Sequence, residues 1–341
     1  MHESRPQTPD TRAYQNNHVT FDHFATKSAA FQTVLDRARV AAVNDGRVLL
    51  LGETGTSKNF LAKAIHQASA RAARPFVEVN LATYHSDHLA SELFGFEQGA
   101  FTGASRVHLG AFARAHGGTL FLDEIGCLPL QLQAALLRAV DQKTILPLGG
   151  KETLVDVRIL AATNLTVDAM RRSPERFRAD LYYRLAEFVI TLPTLAERPE
   201  DILDLFRGHL AAARADFGKP PVEVSPDVER ALLAYAWPGN VRELKNAARS
   251  AALDCGGGRV EVADLPDEVS SPPRRPAVAW QPVPPERILA PGEGKALTNV
   301  RRRHVLETLA EHGGDVDAAA RSLRIHRATL YRLLGRYRRE A

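Results

Sequence analysis

Lys58 closes the run Gly52-Glu53-Thr54-Gly55-Thr56-Ser57-Lys58, which follows the aliphatic stretch Arg47 to Leu51 and precedes a helix-like segment from Asn59 to Ala72. Strand, glycine-containing loop, lysine and helix make a phosphate-binding arrangement. The loop turns consecutive backbone amides toward an anion, the helix N-terminus adds its positive end, and the lysine reaches the β- and γ-phosphates of a nucleotide. The seven residues of the run and the following Asn59 are therefore candidate contacts for ATP. Two positions depart from the usual pattern, and the lesser is Asn59, which stands where serine or threonine usually follows the lysine. Glycine normally precedes the lysine, and Ser57 instead brings a Cβ to a place where backbone and phosphate approach closely.

A second group carries the complementary chemistry. Gly118-Thr119-Leu120-Phe121-Leu122-Asp123-Glu124 is an apolar strand that ends in adjacent carboxylates. An aspartate at a strand end can hold a magnesium ion, and the next glutamate can polarise water for attack on the γ-phosphate. Asp123 is the candidate magnesium ligand and Glu124 the candidate base. Pro75 to Asn80 and Val157 to Asn164 read as further strands, with Asn80 and Asn164 as their polar ends. Strands that alternate with helices imply an α/β fold with a doubly wound parallel sheet. Its ligand lies at the carboxyl ends of the strands, so these polar ends should converge on one cleft.

The elements around this core follow in order. Phe31, Val34, Leu35, Ala38 and Ala42 fall at helical spacing and predict a first amphipathic helix. From Pro199 to about Asp254 the apolar pattern is helical throughout, with Pro238 and Gly239 punctuating two helices. Eight prolines between Pro266 and Pro291 mark an extended linker. Beyond it, Val300 to Glu311, Val316 to Leu323 and Arg327 to Arg338 are three amphipathic pieces, the last two joined by a three-residue turn, which predicts a helix-turn-helix. The expected domains are a mobile arm (1–23), an α/β subdomain (24–193), a helical lid (194–265), the linker (266–298) and a DNA-binding domain (299–341).

The 341 residues suffice for two or three domains, and 45% hydrophobic with 25% charged residues describes a soluble globular protein. Cys127 and Cys255 offer neither a disulfide framework nor zinc-ligand spacing. Residues Met1 to Thr20 contain no apolar export segment, and no run is long enough to span a membrane, so a cytoplasmic location is expected. The net charge of +4 is unevenly placed. Residues 299–341 hold ten arginines against five acidic residues, a local +5, which leaves the preceding chain at −1. A basic module on a near-neutral body is the electrostatic footprint of nucleic-acid binding. In the last helix Arg327, Thr329, Tyr331 and Arg332 are the candidate DNA contacts. His85 and His88 stand at i, i+3 without an apparent third ligand, and no metal beyond magnesium is assigned.

Between the phosphate loop and the paired carboxylates lies Gly99-Ala100-Phe101-Thr102-Gly103-Ala104. Its two glycines favour a turn that displays Phe101 at its tip. This hexapeptide resembles the sigma-54-contacting loop of bacterial enhancer-binding proteins, which are AAA+ ATPases. Val157 to Asn164 resembles the AAA+ sensor I strand, and Phe177-Arg178-Ala179-Asp180-Leu181-Tyr182-Tyr183-Arg184-Leu185 resembles the family segment whose two arginines reach a neighbouring subunit's ATP site. Trp237-Pro238-Gly239-Asn240-Val241-Arg242-Glu243-Leu244 is similar to sensor II, and Ala328 to Arg332 resembles the closing Fis-type domain.

The resemblance covers about residues 24–265 and 299–341. It implies a transcription activator that binds upstream DNA, assembles as a ring, in all expectation a hexamer, and hydrolyses ATP to drive the Phe101 loop against the sigma-54 RNA polymerase holoenzyme. It further implies Arg178 and Arg184 as residues acting in trans, Arg242 as a lid contact to nucleotide, and Asn80 as a partner that holds Glu124. The family usually has a sensor domain ahead of the ATPase, and here only a short arm precedes it, as in the phage-shock and Hrp activators. Regulation by a separate inhibitor, by a partner or through expression level is therefore expected. The alternative, motivated by Ser57, is a DNA-binding regulator that binds nucleotide but hydrolyses it poorly.

Overall fold

The structure, a computed structural model, describes residues 19–102, 104–270, 305–323, 330 and 334. The chain divides into two compact units between Pro272 and Pro273. In the first unit five strands form one parallel sheet: β1 (Val48–Leu51), β2 (Phe76–Asn80), β3 (Thr119–Asp123), β4 (Arg158–Thr163) and β5 (Phe188–Thr191), in the spatial order β2-β3-β4-β1-β5. The strands are aliphatic because both faces are covered. Leu49 and Leu51 of β1 enter one buried cluster with Leu120, Leu122, Ile159 and Ala161, while Val48 and Leu50 enter another with Phe121, Leu160, Ala162 and Ile190. Successive side chains point to opposite faces, so four consecutive apolar residues serve two cores.

Helix α1 (Ala29–Val43) covers the second face with Phe31, Leu35, Ala38 and Ala42. Helix α2 (Lys58–Gln67) packs beside it through Leu61, Ala64 and Ile65. The first face is covered by α3 (Ser86–Phe94), α4 (Leu130–Gln142) and α5 (Ala179–Leu185). The N-terminal segment departs from the expected mobile arm over its last residues. Val19 is 1% and Phe21 9% exposed, and both join the α1–α2 core because they are apolar residues beside an open apolar face.

The lid is helical, built on α6 (Pro199–Asp216), α7 (Pro226–Ala234) and α8 (Asn240–Asp254) around Phe206, Leu232, Trp237 and Leu244. Pro199 and Pro226 occupy the first helical positions, where the missing N–H would have had no partner. Where the composition suggested that the linker begins at residue 266, the chain instead forms α9 (Asp267–Ser270) and buries Val269 in the lid core. A short parallel pair, Glu223–Val224 with Arg259–Val260, was not anticipated from the helical pattern.

In the second unit a helical stretch at residues 305–311 and the helix Val316–Ser322 bring Val305, Leu309, Ala319, Ala320 and Leu330 into one small core. Arg327, Thr329, Tyr331 and Arg332 lie outside the described residues, as does Gly103. Among the described residues no helix is long and apolar enough to cross a membrane.

Candidate active site

The phosphate loop leaves β1 through Gly52, whose N–H donates to the Thr163 carbonyl at the end of β4 (3.3 Å). The hydroxyl of the buried Thr56 donates to the Glu53 carbonyl (2.8 Å) and closes the loop on itself. Ser57 then caps α2 in the left-handed region, φ 77° and ψ 30°. That conformation explains why glycine is the usual residue here: a Cβ at positive φ meets its own carbonyl. Ser57 is therefore a strained position as well as a crowded one.

Lys58 is 6% exposed, and its Nζ donates to the carbonyls of Gly52 (2.9 Å) and Glu53 (3.1 Å), with Glu124 Oε1 at 3.9 Å. Burial holds its ammonium below the ordinary lysine range, partly offset by Glu124 and then Asp123. Asp123 ends β3 directly beside Asn80 of β2, because these two residues are paired in register. Its carboxyl is pushed above the usual range by burial and then by the neighbouring Glu124. Asn80 Nδ2 donates to Asp123 Oδ2 (3.2 Å), and Asn80 Oδ1 accepts from the Ala82 N–H. The Asn80 carboxamide thus holds Asp123, where Glu124 was the expected partner. Strand register decides this: it sets the two side chains at adjacent strand ends. Glu124 turns away at φ 53°, and its N–H donates back to Asp123 Oδ1 (3.0 Å).

Loop, strand ends and lid enclose a cavity of about 270 Å³. Thr54, Gly55, Ser57, Lys58, Asn59, Asp123, Glu124 and Arg242 line it. Gly52, Glu53 and Thr56 form the loop without lining the cavity, and the exposed Asn164 stands just beyond β4, outside the lining. Arg178 and Arg184 do not line it either. Arg178 is half-exposed and forks onto Asp180 (2.7 and 3.1 Å), which holds the Asp180 carboxyl below its usual range, and the exposed Arg184 pairs with Asp141 (3.0 Å).

Several wall residues had no signal in the sequence. Val19 and Phe60 supply apolar surface, and Lys63 and Lys245 add positive charge. His209, on α6, is 7% exposed, and its Nε2 has no hydrogen-bond partner. Burial, and then the Lys245 charge, push its pKa down to about 4, so the imidazole is neutral. Asn240 joins lid to loop and is described below. Three of the five non-glycine residues with positive φ among the described residues, Ser57, Glu124 and Asn240, line this site or bond to its loop. Strained backbone of this kind persists only where the surroundings over-determine it.

The Phe101 loop rises from a short antiparallel pair, Gly95–Phe96 with His108–Leu109. Gly95 has φ 84°, and a Cβ there would lie 2.5 Å from the His108 carbonyl, so the base of the hairpin needs glycine. Phe101 is 48% exposed and meets Phe96 edge-on (5.0 Å), Phe96 stacks on His108 (5.2 Å), and Ala104 is buried. The Gly99 N–H donates to the Ala104 carbonyl (2.8 Å), and the Ala104 N–H to the Phe101 carbonyl (3.0 Å). Ala100 packs on the turn at Gly149. A second cavity, about 380 Å³, lies at this base and is lined by His85, His88, Glu92 and His108 among others. Among the described residues no group of three or more His, Cys, Asp or Glu side chains is arranged to hold a metal ion.

Comparison with known proteins gives this geometry its context. Residues 24–191 match the family model for the sigma-54 interaction domain, 196–279 that for the AAA+ ATPase lid domain, and 296–337 that for bacterial regulatory proteins of the Fis family. The alginate biosynthesis transcriptional regulatory protein AlgB of Pseudomonas putida is 42% identical over 319 residues, which are 93% of this chain and 67% of AlgB. The chain belongs to the sigma-54-dependent transcriptional activators. The sigma54-dependent transcriptional activator SfnR of Pseudomonas putida is 43% identical over 69% of this chain and 64% of its own. Among solved structures, NtrX from Brucella abortus in complex with ATP is similar, with a TM-score of 0.67 and 28% identity over 95% of this chain and 71% of NtrX. The same protein in complex with ADP superposes with a TM-score of 0.67 at 30% identity, over 92% and 69% of the two chains. As an activator of this family the chain combines an AAA+ module with a Fis-type DNA-binding domain.

Proposed function

We propose that this activator is a ring-forming ATPase whose hydrolysis cycle drives the Phe101 loop against the sigma-54 RNA polymerase holoenzyme. The observation that carries the reading is the buried Lys58, held on the carbonyls of its own loop within reach of Glu124 and at one wall of a cavity that also contains Asp123 and Arg242. An ammonium there has its natural counter-ion in a triphosphate, and the ATP complex of NtrX supports the same ligand for this chain. Asp123 is the residue that would hold magnesium. Magnesium binds through one or two carboxylates together with phosphate oxygens, and Asp123 at the cavity wall supplies such a carboxylate. When bound, it would offset the negative charge that develops on the phosphate oxygens.

Glu124 orients and deprotonates the attacking water, Asn80 fixes Asp123, and Asn164 borders the strand-end cleft. Gly52, Glu53, Thr54, Gly55, Thr56 and Ser57 shape the phosphate cradle, while Asn59 and Arg242 approach the nucleotide from α2 and the lid. Arg178 and Arg184 pair with Asp180 and Asp141 and do not line the cavity of their own chain, which supports their delivery to a neighbouring subunit in a hexameric ring. An arginine delivered this way accelerates phosphoryl transfer by roughly a thousandfold or more. The half-exposed Phe101, with Gly99, Ala100, Thr102, Gly103 and Ala104, forms the contact to sigma-54. Arg327, Thr329, Tyr331 and Arg332 bind upstream DNA, and a separate protein regulates the assembly.

The left-handed Ser57 favours a second reading, a DNA-binding regulator with impaired hydrolysis. ATP turnover of the purified chain at high concentration separates the two. The motor predicts turnover far above that of Glu124→Ala, and equal rates would leave the second reading standing.

A further inference from the structure

Asn240 is fully buried at the first turn of α8, in the left-handed region at φ 54°. Its side chain is used in both directions. Oδ1 accepts from the Leu195 N–H (2.7 Å), at the start of the lid, while Nδ2 donates to the Thr54 carbonyl (3.1 Å) and to Glu53 Oε2 (3.3 Å) in the phosphate loop. Beside it the Val241 N–H donates to the Gly55 carbonyl (3.1 Å). The two backbones run so close that a Cβ on Gly55 would lie 2.2 Å from the Gly239 carbonyl. The Glu53 backbone carbonyl meanwhile accepts from Lys58 Nζ.

We propose that Asn240 is a positioning residue that locks the lid to the phosphate loop, so that Glu53 links the angle of the lid to the posture of Lys58. Glu53 is the shared member: its carboxylate answers to the lid and its carbonyl to the lysine. As Lys58 turns outward toward a phosphate its hold on the Glu53 and Gly52 carbonyls loosens, and the loop stays in shape because Asn240 still grips Thr54 and Glu53. The same grip fixes the start of α8, from which Arg242 enters the cavity. This inference rests on the nucleotide reading given above.

The test is a charge-swap cycle in the full chain, read by ATP affinity, KM, kcat and thermal unfolding. Asn240→Asp keeps the size and the acceptor for Leu195 but removes the donor and sets a carboxylate against Glu53. It should weaken ATP binding about tenfold and raise KM more than it lowers kcat. Adding Glu53→Gln restores a donor facing an acceptor and should recover at least about fivefold of that loss, a coupling that independent sites would not show. Asn240→Gly, which accepts the left-handed backbone, should bind ATP as poorly as Asn240→Asp while remaining folded. Wild-type affinity in either single variant, or no recovery on adding Glu53→Gln, would overturn the lock. Failure of the wild-type chain itself to bind ATP would instead overturn the nucleotide reading.

Discussion

Replacing Ser57 by glycine removes a Cβ from a backbone held at φ 77° and ψ 30°. An L-residue in the left-handed region costs roughly 1–2 kcal/mol. Glycine gives back roughly 0.5–1 kcal/mol of this through the extra freedom it loses on folding. The net gain is about 0–1.5 kcal/mol, which for a unit of this size raises Tm by up to roughly 6 °C. A calorimetric melt without nucleotide measures it directly. Ser57→Ala is the control, because it keeps the Cβ and the strain and loses only the hydroxyl, so its Tm should not rise. Ser57 also lines the cavity, so the glycine variant lets the loop amides approach a phosphate more closely, and the Tm increment on adding ATP should grow as well. A glycine variant that melts lower than wild type, or an alanine variant that gains as much as the glycine one, would refute the assignment of strain to this residue.

Three other outcomes follow from the geometry. His209 is buried and titrates near 4 in the folded chain against 6.5 in the unfolded one, so the unfolded state takes up the proton first as pH falls. Stability should therefore be complete above pH 6.5 and decline toward pH 4 with a slope of up to about 1.4 kcal/mol per unit, and His209→Gln should flatten this limb in urea titrations across that range. For Arg178, mixing Arg178→Ala subunits with Lys58→Ala subunits should restore about a quarter of wild-type turnover in random rings, since each supplies what its neighbour lacks. A mixture as inactive as its components would place Arg178 in cis. Phe101→Ala removes a half-exposed ring and should abolish sigma-54-dependent transcription in vitro while DNA binding and ATP turnover persist; surviving transcription would deny the loop its role.

What could be read from the chain in advance was whatever is local. Gly52 to Lys58, Thr119 to Glu124 and Val157 to Asn164 carry their meaning in consecutive residues, because a parallel sheet buried on both faces writes each strand as an aliphatic run with a polar end. Phe101 could be placed at an exposed turn from its flanking glycines, and it lies half-exposed beside Phe96. Contacts that depend on register or on distant pairing were invisible. Asn80 meets Asp123 because β2 and β3 align those two positions, which neither strand encodes by itself. Asn240 reaches Glu53 and Thr54 across 187 and 186 residues, and Val19 closes the cavity from a segment whose polar composition suggested an arm. One signal was available: asparagine tolerates the left-handed backbone better than most residues, and Asn240 sits directly after Pro238 and Gly239, where the chain must turn into a helix.

Ser57 and Asn240 together suggest how strain is distributed in this site. Both hold a left-handed backbone, one at the helix that follows the phosphate loop and the other at the lid helix that grips it, and between them Gly55 approaches the Gly239 carbonyl so closely that only glycine fits. A relaxed loop would need no such external hold. If the lid's hold on Glu53, Thr54 and Gly55 is what keeps Ser57 in that conformation, relieving the strain with glycine should weaken the dependence of the loop on Asn240. The double variant Ser57→Gly, Asn240→Gly should then lose less ATP affinity than Asn240→Gly does alone, with a coupling of at least about 0.5 kcal/mol. Strict additivity in nucleotide titrations would mean that the two strained positions act independently, and that the strain at Ser57 is confined to its own turn.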